Sequence, residues 1–200
     1  MLGHIIGLLI NPVDEWEKIA NRSDDELKRS VLGFLFLIMI PPISSYIGIT
    51  QVGWKILGDG ERVRITAESA IAGTVLFYLA LVGAAIFIGF MMHWMSSTYG
   101  AKTSKYRGVV FIFYCSAPIY LVGFMMAFPL WWRDMLLATA TCGYAMRLLY
   151  LGIPAMMSVP EERGFLYASA AFAVSMVYVV VVLTATIIAW EYVAMPVFTD

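Results

Sequence analysis

The 200 residues are 61% apolar and 14% charged, with a mean hydropathy of +0.81. Soluble domains are about half apolar and about a quarter charged, so an ordinary water-soluble fold is excluded. A net charge of −1, without a face-wide basic patch, excludes nucleic acid as a partner.

Five long apolar runs consume almost all of the chain, which predicts an all-α fold in one domain: a polytopic transmembrane helix bundle of five spans preceded by a short N-terminal interfacial helix. Met1 to Ile10 is apolar but too short to span, and it lacks a basic n-region and a small-residue cleavage site, so it reads as interfacial rather than as a signal peptide. Asn11-Pro12 supplies an N-cap and a first-turn proline, Asp14 and Glu15 favour the positive end of the helix that follows, and Trp16 is expected at headgroup level. The acids Asp14, Glu15, Glu17, Asp24, Asp25 and Glu26 read as a solvated helix face, ahead of a docking site for a basic partner. Ser23 and Glu26 form a capping box that launches the first span.

That span covers about residues 30–53 and should kink at Pro41-Pro42, with Ser44 and Ser45 near the freed carbonyls. The connection over 54–68 holds a turn signal at Gly58-Asp59-Gly60. The second span, about 69–95, carries Ala80, Ala84, Ala85 and Gly89, small residues that let helix backbones approach closely. His93 at its end reads as an interfacial hydrogen-bonder, and with His4 as the only other histidine no metal motif arises. A basic loop with Lys102, Lys105 and Arg107 precedes the third span, about 109–130, which contains Cys115-Ser116-Ala117-Pro118. Cys115 and Cys142 both fall in spans and read as packing residues, not as a disulfide. Trp131-Trp132 marks an aromatic belt before the fourth span, which ends near Val159 and should bend at Gly152 and Pro154. The fifth span covers about 165–190; its valine-rich centre suits a strand, but its length decides for a helix.

The chain therefore divides into a cytoplasmic amphipathic segment (1–29), a five-helix membrane domain (30–190) and a short outward tail (191–200). Alternate connections carry eight lysines and arginines on the N-terminal side and four on the other, which favours a cytoplasmic N-terminus and an outward C-terminus. Arg147 is the one full charge well inside a span. A three-residue spacing puts Tyr144, Arg147 and Tyr150 on one helix face, expected to look into the bundle rather than at lipid. These three are the candidate ligand- or lipid-binding residues, with Arg147 meeting an anionic headgroup or substrate; the competing reading lets its long stem snorkel to lipid phosphates. No nucleophile, base and orienter can be assembled, so no catalytic residue, metal or cofactor is expected.

Asn11-Pro12 with Trp16, Tyr99-Gly100, the loop from Lys105 to Gly108, Cys115-Ser116-Ala117-Pro118, and Leu149-Tyr150-Leu151-Gly152-Ile153-Pro154 leading to Val159-Pro160 together resemble the YIP (Ypt-interacting protein) family, in its compact bacterial-like form. The resemblance covers nearly the whole chain and implies five spans with a cytoplasmic N-terminal segment. Eukaryotic members are associated with Rab-type GTPases; the absence here of their long cytosolic N-terminal region weighs against GTPase binding. The expected function is a non-catalytic integral protein of a bacterial inner membrane that organises membrane or binds partner proteins and lipids. Its expected partners are membrane lipids, a second copy or another membrane protein. The alternative is a small carrier or lipid-handling protein that uses Arg147.

Overall fold

The structure is a computed structural model that describes residues 1–55, 61–192 and 195–199. The turn expected at Gly58-Asp59-Gly60 lies outside the described residues. Two short helices open the chain, α1 (Leu2–Ile10) and α2 (Pro12–Ala20). The first span is broken into α3 (Asp24–Ile38), α4 (Ile40–Ile47) and a π-helical turn, Gly48–Val52. Then come α5 (Ala67–Tyr99), α6 (Lys105–Val122) with a 3-10 extension to Ala127, α7 (Trp131–Met157) and α8 (Glu161–Tyr192). Among the described residues, five helical segments are long and apolar enough to cross a membrane. At 33 and 32 residues, α5 and α8 are about 50 Å long, enough to clear a hydrocarbon core of about 30 Å at both ends.

Local chemistry sets these limits. Ser23 accepts a hydrogen bond from the Glu26 amide and the Glu26 carboxylate accepts one from the Ser23 amide, closing the capping box at the start of α3. Pro12 begins α2, but the Asn11 side chain donates to Asp14 rather than capping the backbone. Pro41 and Pro42 have no amide hydrogen, so the helical ladder lapses at Met39 and α4 restarts with both prolines in its first turn. Near this break the Tyr78 hydroxyl of α5 donates 3.4 Å to the Leu35 carbonyl, and Pro41 packs so closely on Gly123 that a Cβ there would lie 2.5 Å from the ring. The kink is thus a packing device between helices.

The central helix is α6, the most buried of the five spans and flanked by α1, α3, α5 and α7. It meets α5 backbone to backbone: a Cβ on Gly89 would lie 2.5 Å from the Val109 backbone, so only glycine permits that approach. Around α6, Phe34 stacks on Phe113 at 5.2 Å and Trp16 leans on Phe111 at 5.0 Å. Trp16 is 0% exposed, which corrects the headgroup placement expected for it: Gly152 leaves a slot in α7 that its indole fills. At the opposite end a two-residue ribbon pairs β1 (Arg64–Ile65) with β2 (Phe198–Thr199), tying the C-terminal tail to the connection between the first two spans.

Candidate functional site

Tyr144, Arg147 and Tyr150 lie on α7 as the spacing required, but they serve three different surroundings. The Tyr144 hydroxyl donates 2.7 Å to the Leu8 carbonyl of α1, and the Tyr150 hydroxyl pairs at 2.9 Å with the Ser169 hydroxyl of α8. Arg147 is exposed, which corrects the inward direction expected for it. The reason is geometric. At 3.6 residues per turn, each three-residue step falls about 60° short of a full turn, so Tyr144 and Tyr150 diverge by about 120°. Tyr144 therefore reaches α1, Tyr150 reaches α8, and Arg147 emerges on the exposed face between these two directions. Its guanidinium lies 5.8 Å from the Tyr144 ring centre, and among the described residues no hydrogen bond or ion pair reaches it. It is ten residues from the end of α7, about 15 Å along the axis, and level with α1.

A second cluster lies at the N-terminal end of the bundle. His4 Nδ1 and Glu15 Oε1 are 2.5 Å apart, and Lys18 Nζ donates 2.9 Å to Glu15 Oε2. Glu15 is only 7% exposed, covered by Gly7 of α1, whose missing side chain leaves the space that the carboxylate occupies. Burial alone would push the Glu15 carboxyl up, but the hydrogen bonds from His4 and Lys18 and the charges of those groups outweigh it and hold the group below the ordinary carboxylate value. The same hydrogen bond and charge raise the Lys18 ammonium. Beside this knot the Trp16 Nε1 and the Tyr114 hydroxyl are buried without a hydrogen-bond partner among the described residues. On the other flank, Arg107 at the start of α6 donates to the Ala20 carbonyl at 2.9 Å and the Arg22 carbonyl at 3.1 Å, with Asp24 at 3.5 Å. The knot thereby ties α1 to α2, and Arg107 pins the far end of α2 to the start of α6.

The acidic run thus divides: Asp14, Glu17 and Asp25 are exposed, whereas Glu15 is internal, which corrects its assignment to a solvated face. A signal for this stood in the sequence. Glu15 falls in the apolar stripe Pro12, Trp16, Ile19 of α2, and an acid in such a stripe calls for a partner. His93 Nδ1 donates to the Thr103 carbonyl at 3.1 Å, as an end-of-span histidine should. Among the described residues, no group of three or more His, Cys, Asp or Glu could hold a metal ion. The knot holds and positions the hairpin, but it lacks a nucleophile beside its imidazole and carboxylate.

Comparison with known proteins places this architecture. The sequence model of the Yip1 domain matches residues 6–183. The chain is 31% identical over 192 residues to the inner membrane protein YohC of Escherichia coli, in two strains, covering 96% of this chain and 97% of that protein. No solved structure matches.

Proposed function

The chain belongs to the Yip1 domain family, and from that premise we propose that it is a non-catalytic integral membrane protein that organises its membrane by binding lipids and partner membrane proteins through the outer surface of its bundle. The observation that carries this reading is the two-faced N-terminal hairpin. Ile5, Leu8, Trp16 and Ile19 are sealed into the core, while Leu2, Ile6, Leu9 and Ile10 are 62%, 57%, 44% and 80% exposed. A rigidly held apolar face on the N-terminal side of the bundle is suited to lie in one leaflet only. The excess of lysine and arginine on that side supports a cytoplasmic N-terminus with the C-terminus outward. The Escherichia coli relative is an inner membrane protein, which supports an inner-membrane location for this chain. Purification in gentle detergent should recover a stoichiometric partner or a defined homo-oligomer; a clean monomer without companions would refute the reading.

Arg147 favours a second reading, in which the protein handles lipid or an anionic substrate. An exposed guanidinium backed by the Tyr144 ring, level with α1 and unpaired among the described residues, is suited to an anionic headgroup. Arg147→Gln should fold normally and lose retention of phosphatidylglycerol through purification. Unchanged retention would remove the site.

A further inference from the structure

Tyr167 docks on the Met92 carbonyl, and further along the Tyr178 hydroxyl donates 2.7 Å to the Ala80 carbonyl, so α5 and α8 are clamped together as far as that pair. Beyond it, toward the ribbon, a partly open cavity of about 590 Å³ separates the two helices. Its walls come from α5 between Ser69 and Ala80 and from α8 between Val182 and Trp190, its floor from Ser45, Ile49 and Met126, and its mouth from Ile65 and Pro196. The volume is that of a ligand pocket rather than of a packing defect.

Four hydroxyls line this space, and those of α5 and α8 are turned away from it. Thr74 donates to the Ala70 carbonyl and Thr186 to the Val182 carbonyl, each at 2.8 Å, so each is committed to its own helix. Ser69 donates to the Thr66 carbonyl and accepts from the Val197 amide and the Thr66 hydroxyl. Among the described residues Ser45 on the floor is the one lining hydroxyl without such a bond, and a held water needs two to four polar partners. Ser69 and Ala80 are eleven residues apart, about 16 Å along α5, and half of a hydrocarbon core of about 30 Å is about 15 Å. Cavity depth and leaflet depth therefore coincide. At the mouth Arg64 and Glu68 are exposed, marking the level at which a polar group would sit.

We propose that this cleft binds one acyl chain of a phospholipid from the leaflet opposite the N-terminal helices. The chain lies between α5 and α8, its end against the Tyr178–Ala80 clamp and its ester region at Ser69 and Ile65. This site stands apart from the reading above: it involves neither the hairpin nor Arg147, and it needs no lateral assembly. It also leaves the opposite face of α8 free, since Val177, Val180, Val181, Ile187 and Ile188 do not line the cleft.

The test uses the full chain in phosphatidylethanolamine–phosphatidylglycerol vesicles doped with a phosphatidylethanolamine that carries a diazirine near the end of one acyl chain. After photolysis, peptide mass spectrometry should find the label concentrated in residues 69–80 and 182–190. An added Cβ at Gly73 meets nothing within 4 Å, so Gly73→Phe can fill the cleft and should cut that label at least five-fold. Gly143→Phe, equally open on α7, should leave it unchanged. Ala185→Phe obstructs the cleft from the exposed helix α8 and gives the same reading should Gly73→Phe fail to fold. Label spread evenly over the exposed faces of α5, α7 and α8, or undiminished in a folded cleft variant, would overturn the proposal. So would an unlabelled cleft in a chain that cross-links as a dimer along it, which would assign the space to a second copy.

Discussion

Glu15 offers the sharpest test of what holds the N-terminal hairpin. Glu15→Ala removes the acceptor for His4 and Lys18 and empties the space above Gly7. A hydrogen bond to a charged group contributes about 1.5–3 kcal/mol, so the loss of the His4 contact with its small cavity should cost about 2–4 kcal/mol at pH 7. For a chain of this size that lowers Tm by about 5–12 °C, read as the loss of the monodisperse peak in size-exclusion chromatography after heating in mild detergent. In a double-mutant cycle with His4→Ala, the two changes should be sub-additive by about 1–2 kcal/mol, because either one alone already breaks the pair. The sign of the pH dependence follows from Glu15. Its carboxyl titrates lower in the folded than in the unfolded chain, so its contribution is complete above the ordinary carboxylate value of 4.5 and is lost as pH falls through the folded value below it. The gap between wild type and Glu15→Ala should therefore hold from pH 7 to 5 and narrow by pH 3.5. A Tm loss under about 2 °C at pH 7, strict additivity, or a gap indifferent to pH would refute the account.

Gly152→Leu should be severe, since its Cβ would lie 2.5 Å from both the Trp16 and Phe111 rings in a closed core. Overpacking of about 1–3 kcal/mol should show as a lower Tm or a lost folded peak, whereas Gly143→Ala, on an open face, should be neutral or raise Tm slightly. Arg107→Met should free the joint between α2 and α3 without unfolding the bundle. Losing two charge-assisted bonds to carbonyls should raise local opening about ten- to hundred-fold, read as faster limited proteolysis between Ala20 and Asp24, with later sites unaffected.

The spans and their punctuation were legible because they depend on short-range facts. Hydropathy and length place five crossings, and the Ser23–Glu26 box and Pro41-Pro42 act within a turn or two of where they stand. What depends on docking was harder to read. Trp16 has the composition of a belt residue, and only the slot at Gly152, 136 positions away in the chain, draws it inside. A three-residue spacing resembles a straight stripe but winds by about 60° per step, so Tyr144 and Tyr150 part toward α1 and α8 and Arg147 turns outward. The His4–Glu15 pair spans eleven residues and a proline turn, beyond any fixed helical spacing, although Glu15 among Pro12, Trp16 and Ile19 already signalled an unmet need. The cleft between α5 and α8 had no local signature, because a void is a property of two helices diverging.

The ribbon of Arg64–Ile65 with Phe198–Thr199 has a bearing on biogenesis. Its two strands are separated by four crossings, so they can meet only when the chain between them crosses an even number of times. A single skipped or inverted insertion strands the two halves on opposite faces of the bilayer. The pairing of Phe198–Thr199 with Arg64–Ile65 thus acts as a parity check on the number of crossings between them.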